Sequence, residues 1–240
     1  MYTDSYALVT GGSRGIGAAI AKQLAKDGYN ILLNYKSDDA KAENVRSEIK
    51  NIGKQCELLK FDVSDAKSVK ESLQIVQKNK KIRILVNNAS HTVMKSFSDT
   101  TEHDWNSIIA VVLGGFYNLT SNIVPGMIKH NDGRIINISS IGAFNADVNV
   151  AYAAAKSGLV GATRALANEM KKTAIHINSI VPGPIYTDFF AGKTKEEVSL
   201  ELGFKIGDPQ DIANMVSFLC SDKADYINGQ VLHINGGMYI

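Results

Sequence analysis

The stretch Ser5-Tyr6-Ala7-Leu8-Val9-Thr10-Gly11-Gly12-Ser13-Arg14-Gly15-Ile16-Gly17 decides how this chain folds. A run of strand character, Ser5–Thr10, enters a turn rich in glycine, and Ile16, Ile20 and Leu24 then fall at helical spacing. Strand, glycine turn and amphipathic helix in that order make the first half of a βα unit. Glycines at such a turn remove the Cβ atoms that would keep a phosphate away from backbone N–H groups, and the following helix presents the positive end of its dipole there. The TGxxxGxG spacing differs from the GxGxxG dinucleotide fingerprint, but its place between a first strand and a first helix points to nucleotide binding.

Outward from this unit, apolar runs of strand length recur at Asn30–Tyr35, Gln55–Asp62, Ile82–Asn87, Arg134–Ser139, Ile175–Val181 and Gln230–Asn235. Several are continuously apolar, as strands covered on both faces must be, and helix-period segments such as Val69, Leu73 and Val76 alternate with them. The pattern predicts an α/β fold, a single Rossmann-type doubly wound parallel sheet of about seven strands over residues 1–240, with no repeat or linker to divide it. Thr101–Lys129 and Asn149–Lys172 read as long helices too apolar to be solvated on all but one face. With the apolar run Val231–Ile240 they predict a homo-oligomer. Trp105 is expected to anchor the first of them in the core.

Composition narrows the function classes. In 240 residues, 45% apolar and 21% charged content excludes disordered, collagen-like and disulfide-framework proteins. A net charge of +2 without a basic block leaves no footprint for nucleic acid or an anionic membrane. Cys56 and Cys220 lie far apart without metal-ligand spacing, so two reduced packed thiols and no metal site are expected. The opening Met1-Tyr2-Thr3-Asp4 leads into a strand near Tyr6, too early for a signal peptide, and the expectation is a cytoplasmic protein.

Two further segments carry chemistry. The tip of the second strand, Asn34-Tyr35-Lys36-Ser37, lacks the carboxylate that would bind a ribose 2′-hydroxyl, while Arg14 and Lys36 suit a 2′-phosphate. That favours NADP(H), although Asp38 and Asp39 leave open that both cations are ordinary surface charges. In Ala151-Tyr152-Ala153-Ala154-Ala155-Lys156 the i, i+4 spacing puts phenol and ammonium on one helix face, where the ammonium is expected to lower the phenol's pKa. Ser139-Ser140 ends a strand where a hydroxyl can meet a substrate carbonyl.

These motifs, with Asp62-Val63, Asn87-Asn88-Ala89 and Pro182-Gly183-Pro184-Ile185-Tyr186-Thr187, resemble in order and over the whole chain the short-chain dehydrogenase/reductase family, most closely its 3-oxoacyl-acyl-carrier-protein reductases. The resemblance implies a strand order 3-2-1-4-5-6-7, a homotetramer, and reduction of a carbonyl by NADP(H) on a small-molecule or carrier-protein-bound acyl substrate. It implies that Gly11, Ser13, Arg14, Gly15, Ile16 and Lys36 hold the cofactor with Pro182 and Gly183, that Asp62 and Val63 meet the adenine, and that Asn88 and Ala89 line the cofactor. Ile185 and Thr187 would hold the carboxamide. Tyr152 would donate the proton, Ser140 polarise the carbonyl, and Lys156 bind ribose hydroxyls and tune Tyr152. For the serine, counting from Gly133-Arg134 along the strand selects Ser140, and counting back from Tyr152 selects Ser139; register is the stiffer ruler and favours Ser140.

The substrate-side segments depart from that group. Ser90 stands where it has glycine, His91–Ser96 does not match it, and Phe189–Gly207 looks shortened before the seventh helix. Val112 occupies the place of a family asparagine that helps hold a water linking the catalytic lysine to solvent. Other ketones or alcohols (polyketide, steroid, sugar), or a non-catalytic nucleotide-binding regulatory protein, remain alternative readings. His91 is a candidate substrate-side residue, with a solvated or structural role as its alternative.

Overall fold

The apolar runs form strands, and those in the middle of the sheet have their residues buried on both faces, while the last is only partly buried. The computed structural model describes residues 5–240, so the opening Met1–Asp4 lies outside the described residues. Strands β1 (Ser5–Val9), β2 (Asn30–Tyr35), β3 (Cys56–Lys60), β4 (Lys81–Asn87), β5 (Gly133–Ile138), β6 (Ile175–Pro182) and β7 (Val231–Ile234) form one parallel sheet in the order β3-β2-β1-β4-β5-β6-β7. This is the predicted fold class and strand order. Because β1 pairs β2 on one side and β4 on the other, with Val9 opposite both Leu33 and Val86, the chain reverses its winding at the carboxyl ends of β1 and β4. A ligand crevice belongs at such a switch point.

Side-chain alternation divides the sheet between two helical layers. Val9, Leu33, Val86 and Ile136 pack under α1 (Gly15–Lys26) and α8 (Pro209–Cys220), with α2 (Asp39–Asn51) beside them. Leu8, Leu32, Leu85 and Ile135 face α3 (Ala66–Val76) and α5 (Gly115–His130). On that side α4 (Glu102–Ile109) and α6 (Val150–Glu169) form a smaller cluster of Ile108, Val112, Ala155 and Leu159.

The expected boundaries shift in places. The third strand stops at Lys60, short of Asp62, and the seventh spans four residues. The long helix read at Thr101–Lys129 is α4 and α5 joined through a π-helical turn at Ala110–Gly114, which spacing alone does not reveal. Glu102–His130 is long and apolar enough to cross a membrane, its most apolar 18 residues having a mean hydropathy of 1.5. Here it serves as a covering layer, burying Leu119, Ile123 and Met127 on the sheet. Trp105 is a correction, being 39% exposed: Asp104 and Ile108 take the buried face of α4, and the next position turns outward. The segment 189–207 carries a helix of its own, α7 (Lys195–Leu202), begun by a capping box of Thr194 and Glu197. Cys56 and Cys220 are free and buried, as expected.

Candidate active site

The phosphate turn is tied down by side chains on either side of it. The Thr10 hydroxyl donates to the Val86 carbonyl at 3.2 Å and accepts from the Asn88 and Ala89 N–H groups at 2.9 and 3.0 Å, clamping β1 to the end of β4. Asn88 completes the clamp by donating to the carbonyls of Thr10 (2.8 Å) and Gly11 (3.3 Å). Asn34 donates to Leu59 and Phe61 carbonyls, and its own carbonyl accepts from Gly12 N–H at 2.8 Å. Gly11 (φ 61°) and Gly15 (φ 54°) occupy left-handed conformations. At Gly17 a Cβ would lie 2.3 Å from the Gly11 carbonyl oxygen.

Among the described residues no side chain caps α1 and no acid stands in its first turn, which leaves its leading N–H groups without a side-chain acceptor there at the edge of the cleft. That cleft measures about 840 Å³ and is lined by Gly11, Ser13, Arg14, Gly15, Ile16, Lys36, Asp62, Val63, Asn88, Ala89 and Thr187 among the sequence candidates. A cleft of this volume, with a glycine-bared turn and an uncapped helix terminus for the pyrophosphate, fits a nicotinamide dinucleotide.

At the adenosine end the two expected cations differ. Arg14 is exposed at the cleft edge, whereas the Lys36 ammonium lies 2.7 Å from Asp62 Oδ2. Burial pushes the Asp62 carboxyl up, but Lys36 and the Ser64 N–H and hydroxyl outweigh it and hold it below its ordinary value.

The two candidate serines part at the end of β5. Ser139 is buried and donates to the Lys156 carbonyl at 3.0 Å, which uses its hydroxyl in packing β5 on α6. Ser140 accepts from Gly142 N–H at 3.1 Å and meets the Tyr152 hydroxyl, as does Ser90. Burial raises the Tyr152 pKa, and hydrogen bonds from Ser140 and Ser90 oppose that rise. Lys156 is 2% exposed, its ammonium 2.7 Å from the Ile138 carbonyl and 5.5 Å from the Tyr152 ring centroid. Burial lowers its pKa to about 7. The expected lowering of the phenol by a fully charged ammonium is therefore not what this geometry gives. The same burial that raises the phenol removes much of the lysine's charge near neutrality.

The segment after β6, a lid, borders the cleft at Thr187, Asp188 and Phe189. Ile185 is buried and pairs with Gly207, and Thr187 packs its methyl toward Gly15. Pro182 ends β6, and Gly183 donates to the Ile234 carbonyl at 3.0 Å. Ser140, Tyr152, Lys156, Pro182, Gly183 and Ile185 do not line the dinucleotide cleft itself; Tyr152 adjoins it through Ser90. Sequence reasoning missed Thr10, and it missed His103 and Ser107, which line the cleft beside the exposed His91. Thr10 was legible in the TGxxxGxG motif as the residue before the first glycine; the others come from distant segments with no local signal. Val112 is buried inside the π-helical turn.

Comparison with known proteins agrees with this geometry over almost the whole chain. The family model described as enoyl-(acyl carrier protein) reductase matches residues 11–239. The 3-oxoacyl-(acyl-carrier-protein) reductase FabG of Staphylococcus aureus is 40% identical over 240 residues, covering 98% of each chain. The enzyme of the same name from Aquifex aeolicus is 38% identical (97% of this chain, 96% of its own), and that of Aggregatibacter actinomycetemcomitans 36% (96% and 98%). With the βα nucleotide turn, the seven-stranded parallel sheet and the Ser-Tyr-Lys group all present, the chain belongs to the short-chain dehydrogenase/reductase family of nicotinamide-dependent oxidoreductases.

Proposed function

We propose that the protein is a cytoplasmic, NADPH-dependent 3-oxoacyl-(acyl-carrier-protein) reductase that works as a homotetramer. The observation that carries the reaction type is the meeting of the Ser140 and Tyr152 hydroxyls above Lys156. A carbonyl needs a proton at oxygen as it is reduced, and two neighbouring hydroxyls are the groups to supply and orient it. Bound nicotinamide supplies the hydride. Tyr152 gives its proton to the carbonyl oxygen, its burial keeping the phenol protonated until that oxygen becomes basic. Ser140 donates a hydrogen bond to the same oxygen and holds it in line. Lys156, anchored on the Ile138 carbonyl, has donors left for a ribose hydroxyl and a proton available near neutrality to restore Tyr152. The carrier-bound substrate is supported by the relatives' name at 36–40% identity over their whole length, which outweighs the enoyl description of the broader model because the hydroxyl pair suits a C=O and not a C=C bond.

NADPH is supported by Arg14 and by the absence of a carboxylate from the β2 tip. The oligomer is supported by exposed Tyr117 and Ile128 on α5 and the half-exposed edge strand β7 with Met238, Tyr239 and Ile240 beyond it. Following absorbance as NADPH reduces a panel of 3-oxoacyl thioesters and enoyl thioesters tests the reading. Consumption with the oxoacyl compounds and none with the enoyl compounds is expected; the reverse overturns it. Lys36→Asp is expected to narrow the preference for NADPH over NADH, and equal dissociation constants in the parent contradict the cofactor assignment.

A further inference from the structure

One salt bridge crosses the mouth of the cleft. Lys41 stands in the first turn of α2, and its ammonium lies 2.5 Å from Asp188 Oδ2 at the start of the lid. Beneath it, Asp188 and Thr187 form one wall of the cleft, and Arg14, Ser37 and Asp38 belong to the same lining. Thr187 Cγ2 lies only 3.3 Å from where a Cβ on Gly15 would be. The bridge therefore spans the turn that receives the nucleotide's phosphates. Lys41 and, more weakly, Arg14 hold the Asp188 carboxyl below its ordinary value, so these three charges interact at a rim that the Asp38 side chain also lines.

Both lysines are exposed, Lys36 at 71% and Lys41 at 44%, and what differs is how their carboxylate partners are held. The carboxylate that binds Lys36 belongs to Asp62, itself fixed by the Ser64 N–H and hydroxyl at 2.9 and 2.7 Å and mostly shielded from solvent. The partner of Lys41 is a half-exposed side chain in a three-residue turn, Asp188–Phe190. Exposed pairs of that kind are weak and easily exchanged. A dianionic phosphate offers more charge and more acceptor oxygens than one carboxylate, so it draws Lys41 away more readily than it draws Lys36.

We propose that Lys41 and Asp188 form a latch over the adenosine end of the cleft, which a phosphate on the nucleotide's ribose opens by taking Lys41 from Asp188. The cofactor's phosphate then does two things: it is selected by Lys41 together with Arg14, and it releases the lid that carries Phe189 and Phe190. Lys41 is a positioning and selecting residue in this scheme and touches no reacting atom. The inference rests on the reading that the cofactor is NADPH.

Hydrogen exchange of the lid, residues 188–202, tests it in the full chain with two probes that differ by one group, adenosine 2′,5′-bisphosphate and adenosine 5′-monophosphate. The bisphosphate is expected to bind more tightly and to speed lid exchange about two- to fivefold in the parent, the range that loss of one exposed ion pair gives, while the monophosphate leaves it unchanged. Asp188→Asn is expected to show the faster exchange without any probe and no further rise with the bisphosphate. Lys41→Met should behave alike and bind the bisphosphate several-fold more weakly. If the bisphosphate binds more tightly yet lid exchange stays at its parental rate, or if Asp188→Asn exchanges like the parent, the latch is wrong and the cofactor reading stands. If the two probes bind the parent equally, the cofactor reading fails and the latch falls with it.

Discussion

Replacing Lys156 with methionine should make the protein more stable while destroying its activity. The lysine is buried to 2% exposure with the Ile138 carbonyl as its hydrogen-bonded partner, and burial lowers its pKa from 10.5 to about 7. At about 1.4 kcal/mol per pH unit, that fall corresponds to a cost on the order of 5 kcal/mol for holding the charged form in the fold. Methionine fills similar volume without charge, and losing the bond to Ile138 returns about 1–3 kcal/mol. The net expectation is about 2–4 kcal/mol of added stability near pH 6.5. The sign of the pH dependence is a second check. Above pH 7 the unfolded chain keeps the lysine proton that the folded chain has released, so parental stability rises with pH toward the ordinary lysine value and the advantage of Lys156→Met shrinks.

Cys56 and Cys220, pushed up to about 12 by burial, pull the other way once unfolded thiols ionise near pH 8.5, so the informative window is about pH 6–8.5. Urea unfolding of both proteins without nucleotide, at one protomer concentration because oligomers unfold by mass action, gives the comparison. A variant no more stable than the parent, or a difference that does not change with pH across that window, would refute the reasoning. A catalytic group held at a cost to stability is the expected trade-off at an active site.

Four other outcomes are expected. Tyr152→Phe should lower turnover by at least about 100-fold with cofactor affinity nearly unchanged, since it removes one hydroxyl and little volume; fluorescence titration and steady-state rates check it. Gly17→Ala should cost about 3 kcal/mol or more and abolish nucleotide binding, because its Cβ meets a backbone oxygen at 2.3 Å, whereas Gly126→Ala, with only the Gln77 side chain at 3.5 Å, should gain about 0.5–1 kcal/mol by thermal melting. Val112→Asn should raise the turnover number with little change in cofactor affinity by giving the buried π-helical turn a donor and an acceptor, and equal rates and equal solvent-isotope effects in parent and variant would remove that argument. Light scattering at micromolar protomer should return a multiple of the 26.0 kDa chain mass; a value near that mass contradicts the oligomer.

What the sequence determined by itself was whatever a local pattern encodes. Apolar runs of strand length read as strands of a covered sheet, the glycine turn between Val9 and Ile16 pointed to a phosphate, and the i, i+4 spacing placed Tyr152 and Lys156 on one helical face. Resemblance then ordered the strands, and the sheet has that order. Tertiary structure decided what depends on groups brought together from afar. Ser139 and Ser140 are chemically identical in sequence, and only the packing of β5 on α6 spends the first hydroxyl on the Lys156 carbonyl and turns the second toward Tyr152. Lys36 carries the same charge in any conformation, yet only the fold sets Asp62 2.7 Å from it, across the ends of β2 and β3. The lysine expected to depress the Tyr152 pKa instead loses its own proton easily, because desolvation is a property of the surrounding packing and not of residue spacing.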